Sequence, residues 1–340
     1  MPVTDPALPD PRPSRRALLA RLAALPLAAS LGGCIGGPAA HLATGARGSA
    51  LADDGILHVV TSRRPAGNGQ ASPFFDARRA PEMTYAEARL KRPDGSILGR
   101  IGSVVSSDFG IATVDPFAGE ASARLAEALR GRDALMFIHG YNQTFEAAAR
   151  DAALLSSGIG FQGNTVAFSW PSRGGLLDYG YDRESALLAR DHLAEVLHAV
   201  LGDSTVGRLN LVAHSMGTLA TLEALRVLRD RYGETEVSRL GSVVFASPDI
   251  DMDVFKAGVA HLGALRQKLT VITATNDRAL DLSRRLAGGE RVGALSAEAL
   301  GGMGVRVVDA TEFASGLTRH DAFVSNPDVR AVIKRAIERG

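Results

Sequence analysis

Cysteine occurs once in 340 residues, at position 34, which rules out an intrachain disulfide, a thiolate metal cluster and a cysteine nucleophile in the body of the chain. Basic and acidic residues almost cancel, 38 against 37, and the body has no basic run. A nucleic-acid role therefore has no electrostatic footprint. The apolar stretch over residues 17–31 is too short and too poor in bulky residues for a good membrane-spanning helix. The H-E-x-x-H pattern of zinc hydrolases is missing, and no paired carboxylates accompany His139, His214 and His320. These imidazoles are assigned to packing, hydrogen bonding or proton transfer, and no metal or organic cofactor is expected. Hydrophobic residues make up 46% of the chain, enough to bury the core of one α/β domain behind a leader. Nothing in the sequence fixes an oligomeric state.

The leader spans residues 1–33. A proline-rich start is followed by Ser14-Arg15-Arg16 and an Ala/Leu stretch over 17–31, the layout of an export signal. It ends in Leu31-Gly32-Gly33-Cys34, which resembles the lipobox of bacterial lipoproteins, where the thiol is acylated. Ser-Arg-Arg-Ala-Leu-Leu also resembles a twin-arginine signal. The expectation is an exported protein, anchored to the cell envelope through lipid on Cys34 and facing the periplasm. Residues 34–52 then read as a Gly/Ala-rich tether, and 53–340 as the folded domain.

Within that domain, 56–60 reads as a strand, and 86–90 and 96–101 as a hairpin around Pro93-Asp94-Gly95. Residues 63–82 show no period and are expected to be a loop without chemistry. From residue 120 onward, helical and strand patterns alternate: helices over 120–130, 145–155 and 184–200, strands over 134–138, 165–169, 242–246, 269–274 and 305–308. Such alternation predicts a mostly parallel sheet with helices on both faces. Asn326-Pro327, a capping residue before proline, predicts the start of the last helix.

The chemistry gathers on Arg208 to Leu222, RLNLVAHSMGTLATL, which reads strand, sharp turn, helix. Ser215 at that turn is flanked two residues away by Ala213 and Gly217, small enough to let strand and helix pass closely; glycine is usual at both places. A serine needs a base held in the right tautomer by an acid, and reactive groups gather beyond the carboxyl ends of such strands. Asp277 follows the strand at 269–274, and His320 lies between the last strand and the last helix. Asp249, Asp251 and Asp253 after the preceding strand are the rival acids; Asp277 is preferred because the acid usually follows the penultimate strand. Met216 and, in the loop after 134–138, Tyr141 are the expected oxyanion N–H donors. His139 flanks the site, Trp170 is a candidate pocket residue, and Tyr179 and Tyr181, in a Gly-rich loop over 172–182, are candidates for a cover. Asp182 is expected to cap the next helix.

Six motifs occur in order: HGYNQTF (139–145), FSWPS (168–172), AHSMGT (213–218), SPDID (247–251), NDRAL with Ser283, and RVG (291–293). Together they resemble a bacterial, esterase/lipase-like branch of the α/β-hydrolase superfamily, largely of unknown function, over roughly residue 56 to the C terminus. The resemblance implies the α/β-hydrolase fold, Ser215, Asp277 and His320 as a triad, and serine hydrolase activity on a small-molecule or lipid acyl ester. It implies no particular substrate. Acyl transfer, thioester or amide cleavage, and a non-catalytic binding role on the same fold are the alternatives.

Overall fold

A computed structural model describes residues 51, 55–91, 110–173, 175, 178–313 and 321–340. The leader, Cys34, most of the tether, the second hairpin strand expected at 96–101, and His320 lie outside the described residues.

Three antiparallel neighbours open the chain: β1 (Ile56–Pro65), β2 (Phe75–Lys91) and β3 (Gly110–Pro116). Then come helix α1 (Ala121–Ala128), β4 (Ala134–Ile138), α2 (Phe145–Ile159), β5 (Asn164–Ser169) and α3 (Tyr179–Gly202). They are followed by β6 (Leu209–His214), α4 (Gly217–Tyr232), β7 (Leu240–Ala246), α5 (Met252–His261) and β8 (Leu269–Thr273). The last elements are α6 (Arg278–Ala287), β9 (Arg306–Asp309), α7 (Ala322–Ser325) and α8 (Pro327–Arg339). Among the described residues the sheet order is β3-β2-β1-β5-β4-β6-β7-β8-β9, parallel from β1 onward.

Strand β4 shows why the sheet lies inside. Ala134, Met136 and Ile138 pack into one core, Leu135 and Phe137 into the other, and all five are buried. Side chains alternate across a strand, so one that is apolar at every position must be covered on both faces. Apolar positions of α1, α3, α4 and α5 cover the first face, and those of α2, α7 and α8 the second. Local signals set the helix ends. Thr144 accepts a hydrogen bond from Ala147 N at the start of α2, and Gly160 closes that helix in the left-handed region at φ 65°.

Two expectations are corrected. Residues 63–82 are mostly strand: β1 continues to Pro65, and β2 begins at Phe75, pairing with β1 through register shifts on either side of Arg63. Those shifts, and the polar residues on the open face of β2, hide the period of two. The loop expected over 172–182 ends earlier, because Tyr179, Tyr181 and Asp182 already belong to α3.

The cap expected for the last helix is present: Asn326 Oδ1 accepts from Asp328 N at 2.8 Å and Val329 N at 3.3 Å. Asn326→Ala should lower stability by about 1 kcal/mol in urea denaturation. An unchanged midpoint would mean that packing of α8 alone sets its start.

Candidate active site

The turn between β6 and α4 is shaped by close backbone approach. Ser215 is held at φ 51°, and its N–H donates to Ala246 O on the adjacent strand at 3.0 Å. A Cβ at Gly217 would lie 2.3 Å from His139 O, and one at Gly140 would lie 2.8 Å from Ser215 Cβ. The loop after β4 and the serine turn therefore touch with no room for a side chain at either glycine. Among the described residues, the non-glycine residues with positive φ are Asn142 (60°), Ser215 (51°) and Ser247 (46°). Each lies just beyond the carboxyl end of β4, β6 or β7, three neighbours in the sheet. Backbone strain of this kind clusters at functional sites, which makes this end of the sheet the candidate site.

The amides of Met216 and Tyr141, the expected oxyanion donors, have no acceptor among the described residues. The two amides after Tyr141 are tied down: Asn142 N donates to Asp182 Oδ2 at 3.3 Å and Gln143 N to Ser172 Oγ at 3.0 Å. Asp182 also accepts from Ser172 Oγ at 2.5 Å and Arg173 N at 2.8 Å. It braces this loop and makes no cap bond to α3, contrary to expectation. From the other side, buried Arg63 donates to Gln143 O at 2.7 Å, Ser169 Oγ at 2.9 Å and Ser172 O at 3.0 Å. Burial pushes the Arg63 guanidinium down to about 10 and raises the Asp182 carboxyl. Arg63 remains charged at neutral pH.

His139 and Trp170 form a clasp beneath the same loop. Their rings stack at 4.6 Å, Trp170 Nε1 donates to His139 O at 2.9 Å, and His139 Nε2 lies 3.0 Å from Trp170 O. Both are fully buried and neither lines the cavity described next. The two ring nitrogens of His139 each face a carbonyl oxygen, which favours the charged form, yet burial and the nearby Arg63 outweigh this and push the imidazole down to about 3.

A cavity of about 270 Å³ opens beside Ser215. Tyr141, Asn142, Tyr179, Arg278, Leu280 and Leu286 are among the side chains around it. Tyr179 is where the sequence suggests; Tyr181 instead stacks under Arg79 and Arg173, at 4.3 and 3.8 Å. A second cavity, of about 340 Å³, lies by Arg132, Gly163 and Arg208 at the amino ends of β4, β5 and β6, remote from this chemistry.

Asp277 and Asp251 cap helices in the same way, and Asp249 and Asp253 differ from both. Asp277 is buried beyond β8, and its Oδ1 caps α6 by accepting from Ala279 N at 3.0 Å and Leu280 N at 3.2 Å. Asp249 pairs with buried Arg291 at 3.4 Å and accepts from Tyr179 Oη and Ser283 Oγ. Asp251 caps α5, and the Asp253 side chain is 94% exposed. His214, expected to pack, stacks on Phe323 at 4.2 Å, and Phe323 also stacks on Phe137 at 5.6 Å. Ser283 and the leucines of α6 also line the cavity, and the sequence signal for them is the amphipathic pattern of RALDLSRRLA. Among the described residues, no group of three His, Cys, Asp or Glu side chains could hold a metal ion.

Residues 118–336 match the family described as alpha/beta hydrolase of unknown function (DUF900). Solved structures resemble the chain at low identity. An acetyl xylan esterase is 13% identical over 61% of this chain and 97% of its own, with a TM-score of 0.38. Aspergillus fumigatus lipase B is 14% identical over 82% of this chain and 63% of its own, with a TM-score of 0.40. A Trichoderma reesei cutinase is 13% identical over 64% and 88%, with a TM-score of 0.35. At these scores the neighbours say nothing about substrate. No curated protein matches the chain.

The His139 clasp has a pH signature. A histidine in the unfolded chain titrates near 6.5, so as pH falls from there towards 3 the unfolded state takes up a proton that the folded state refuses, and stability drops. Between pH 7 and 4.5, the wild type should lose on the order of 2 kcal/mol more than His139→Gln, measured by urea unfolding at both pH values. Equal losses would mean that His139 is not held neutral.

Proposed function

Taking as premise that the chain belongs to the alpha/beta hydrolases of unknown function (DUF900), we propose that it is a serine hydrolase of carboxylic esters acting through Ser215, His320 and Asp277. The observation that carries the reading is the serine turn itself: Ser215 at φ 51°, against Gly140 and beside a cavity, with the Met216 and Tyr141 amides lacking acceptors among the described residues. In this mechanism His320 takes the Ser215 proton as the hydroxyl attacks the ester carbonyl, and Asp277 orients and stabilises the imidazolium. The Met216 and Tyr141 amides hold the tetrahedral oxyanion. His320 then returns the proton to the leaving alcohol, and water, deprotonated by the same imidazole, releases the acid.

A further observation supports the choice of acid. Both oxygens of Asp249 are taken by Tyr179, Ser283 and Arg291, and Asp251, which caps α5 as Asp277 caps α6, is half-buried whereas Asp277 is buried.

The test is hydrolysis of p-nitrophenyl esters of increasing acyl length, with fluorophosphonate labelling followed by peptide mapping. Ser215→Ala should lose roughly 10⁴-fold or more in kcat/KM and all labelling. Asp277→Asn should lose about 10³- to 10⁴-fold, and Asp251→Asn far less. Turnover that survives Ser215→Ala, or a folded wild type that neither turns over nor labels, would overturn the proposal.

The leader supports a second part of the proposal, export and acylation at Cys34, so that the enzyme meets its esters at a membrane surface. Among the described residues no helix is long and apolar enough to cross a membrane. Cys34→Ala should move the protein from the membrane to the soluble fraction in bacterial expression; unchanged fractionation would argue against a lipid anchor.

A further inference from the structure

The cavity beside Ser215 is apolar along Ala279, Leu280, Leu282 and Leu286, yet three buried polar groups, Tyr179, Ser283 and Asp249, share its lining. Their contacts form a triangle. Tyr179 Oη lies 3.0 Å from Asp249 Oδ2 and 2.9 Å from Ser283 Oγ, and Ser283 Oγ lies 2.5 Å from Asp249 Oδ1. The triangle is fixed to the nucleophile and to the sheet: Asp249 N donates to Ser215 O at 3.2 Å, and the carboxylate faces Arg291 Nε at 3.4 Å.

Hydrogen counting then decides what this patch can do. A carboxylate only accepts, and each hydroxyl has a single hydrogen. The charged carboxylate is the strongest acceptor of the three, so both hydrogens go to Asp249 and none remains for the 2.9 Å contact between Tyr179 and Ser283. Two electron-rich oxygens are left side by side on the cavity wall, with lone pairs and no hydrogen of their own to give, at a buried position where an unmet polar group is costly. A hydroxyl aimed between them satisfies both; a methylene satisfies neither, and a carbonyl oxygen is repelled.

We propose that Tyr179 and Ser283, oriented by Asp249, form a forked acceptor that selects esters carrying a hydroxyl group. The proposal rests on the ester hydrolase reading and adds the substrate class. The donor is an alcohol O–H, in either the acyl or the alcohol half of the ester, and the leucines of α6 contact the substrate's hydrocarbon part.

The test uses matched pairs: p-nitrophenyl 3-hydroxybutanoate against p-nitrophenyl butanoate for the acyl half, and 2-hydroxyethyl butanoate against ethyl butanoate for the alcohol half. In at least one pair, kcat/KM should favour the hydroxylated ester by about tenfold or more. Tyr179→Phe and Ser283→Ala should each bring that ratio towards one, mainly through a higher KM for the hydroxylated ester, and Ser283→Thr, which keeps the hydroxyl, should retain it. The ratio is internal to each variant, so a general loss of fold or activity leaves it unmoved. Ratios near one for both pairs in a wild type that hydrolyses the esters and labels at Ser215 would overturn this proposal alone. So would a preference that Tyr179→Phe and Ser283→Ala leave intact. A wild type without turnover or labelling would overturn the hydrolase reading and this inference with it.

Discussion

A serine held at φ 51° is the constraint on which the rest of this structure depends. A left-handed backbone costs a non-glycine residue roughly 1–2 kcal/mol, and it persists only where the surroundings leave no alternative. Here the surroundings are four parallel strands. β6 delivers the serine, β4 the loop that presses on it, β7 the backbone oxygen that takes its N–H, and β8 the turn that holds Asp277. A sheet buried on both faces keeps those four strand ends in fixed register, so the strain at one residue is distributed over the stiffest part of the molecule.

The loop after β4 is stiffened differently, by buried charge. Arg63 comes from an antiparallel strand and Asp182 from the first turn of α3, and they meet through Ser172 and the backbone of Gln143. Burying a guanidinium and a carboxylate is costly unless every donor and acceptor is used. Arg63 uses Nε and both terminal nitrogens, and Asp182 uses both oxygens. The result is a loop in which the amides of Asn142 and Gln143 are occupied and that of Tyr141 has no acceptor among the described residues.

The parts legible in the sequence are those set by local pattern. Strand β4 falls on the expected residues because its burial on both faces writes a continuous apolar run. The serine turn is legible because strand, small residue and helix must follow one another within ten positions, and the cap of α8 because Asn and Pro act on the next turn. The chain was opaque where partners are distant in sequence. Trp170 after a strand looks like a pocket residue until His139, 31 positions away, is seen to stack on it. Asp182 at a helix start resembles a cap until Asn142 is seen to claim it. Residues 63–82 lost their alternation because the β1–β2 register shifts at the point where Arg63 turns inward.

The departure at Ala213 also follows from the packing. Patterns of this kind carry small residues on both sides of the nucleophile, but the two positions face different neighbours. Gly217 is the first residue of α4 and lies against the His139 and Ile138 carbonyls, fixed backbone atoms that cannot yield to a methyl group. Ala213 is still within β6, paired with Ile138 and Phe245, and it belongs to the core beneath the helices α3 and α4. There a methyl group has side-chain neighbours, and filling that space adds apolar burial. Close approach of the loop to the helix therefore demands glycine only after the serine. Before it, the demand is for a residue small enough to fit the core, and alanine meets it.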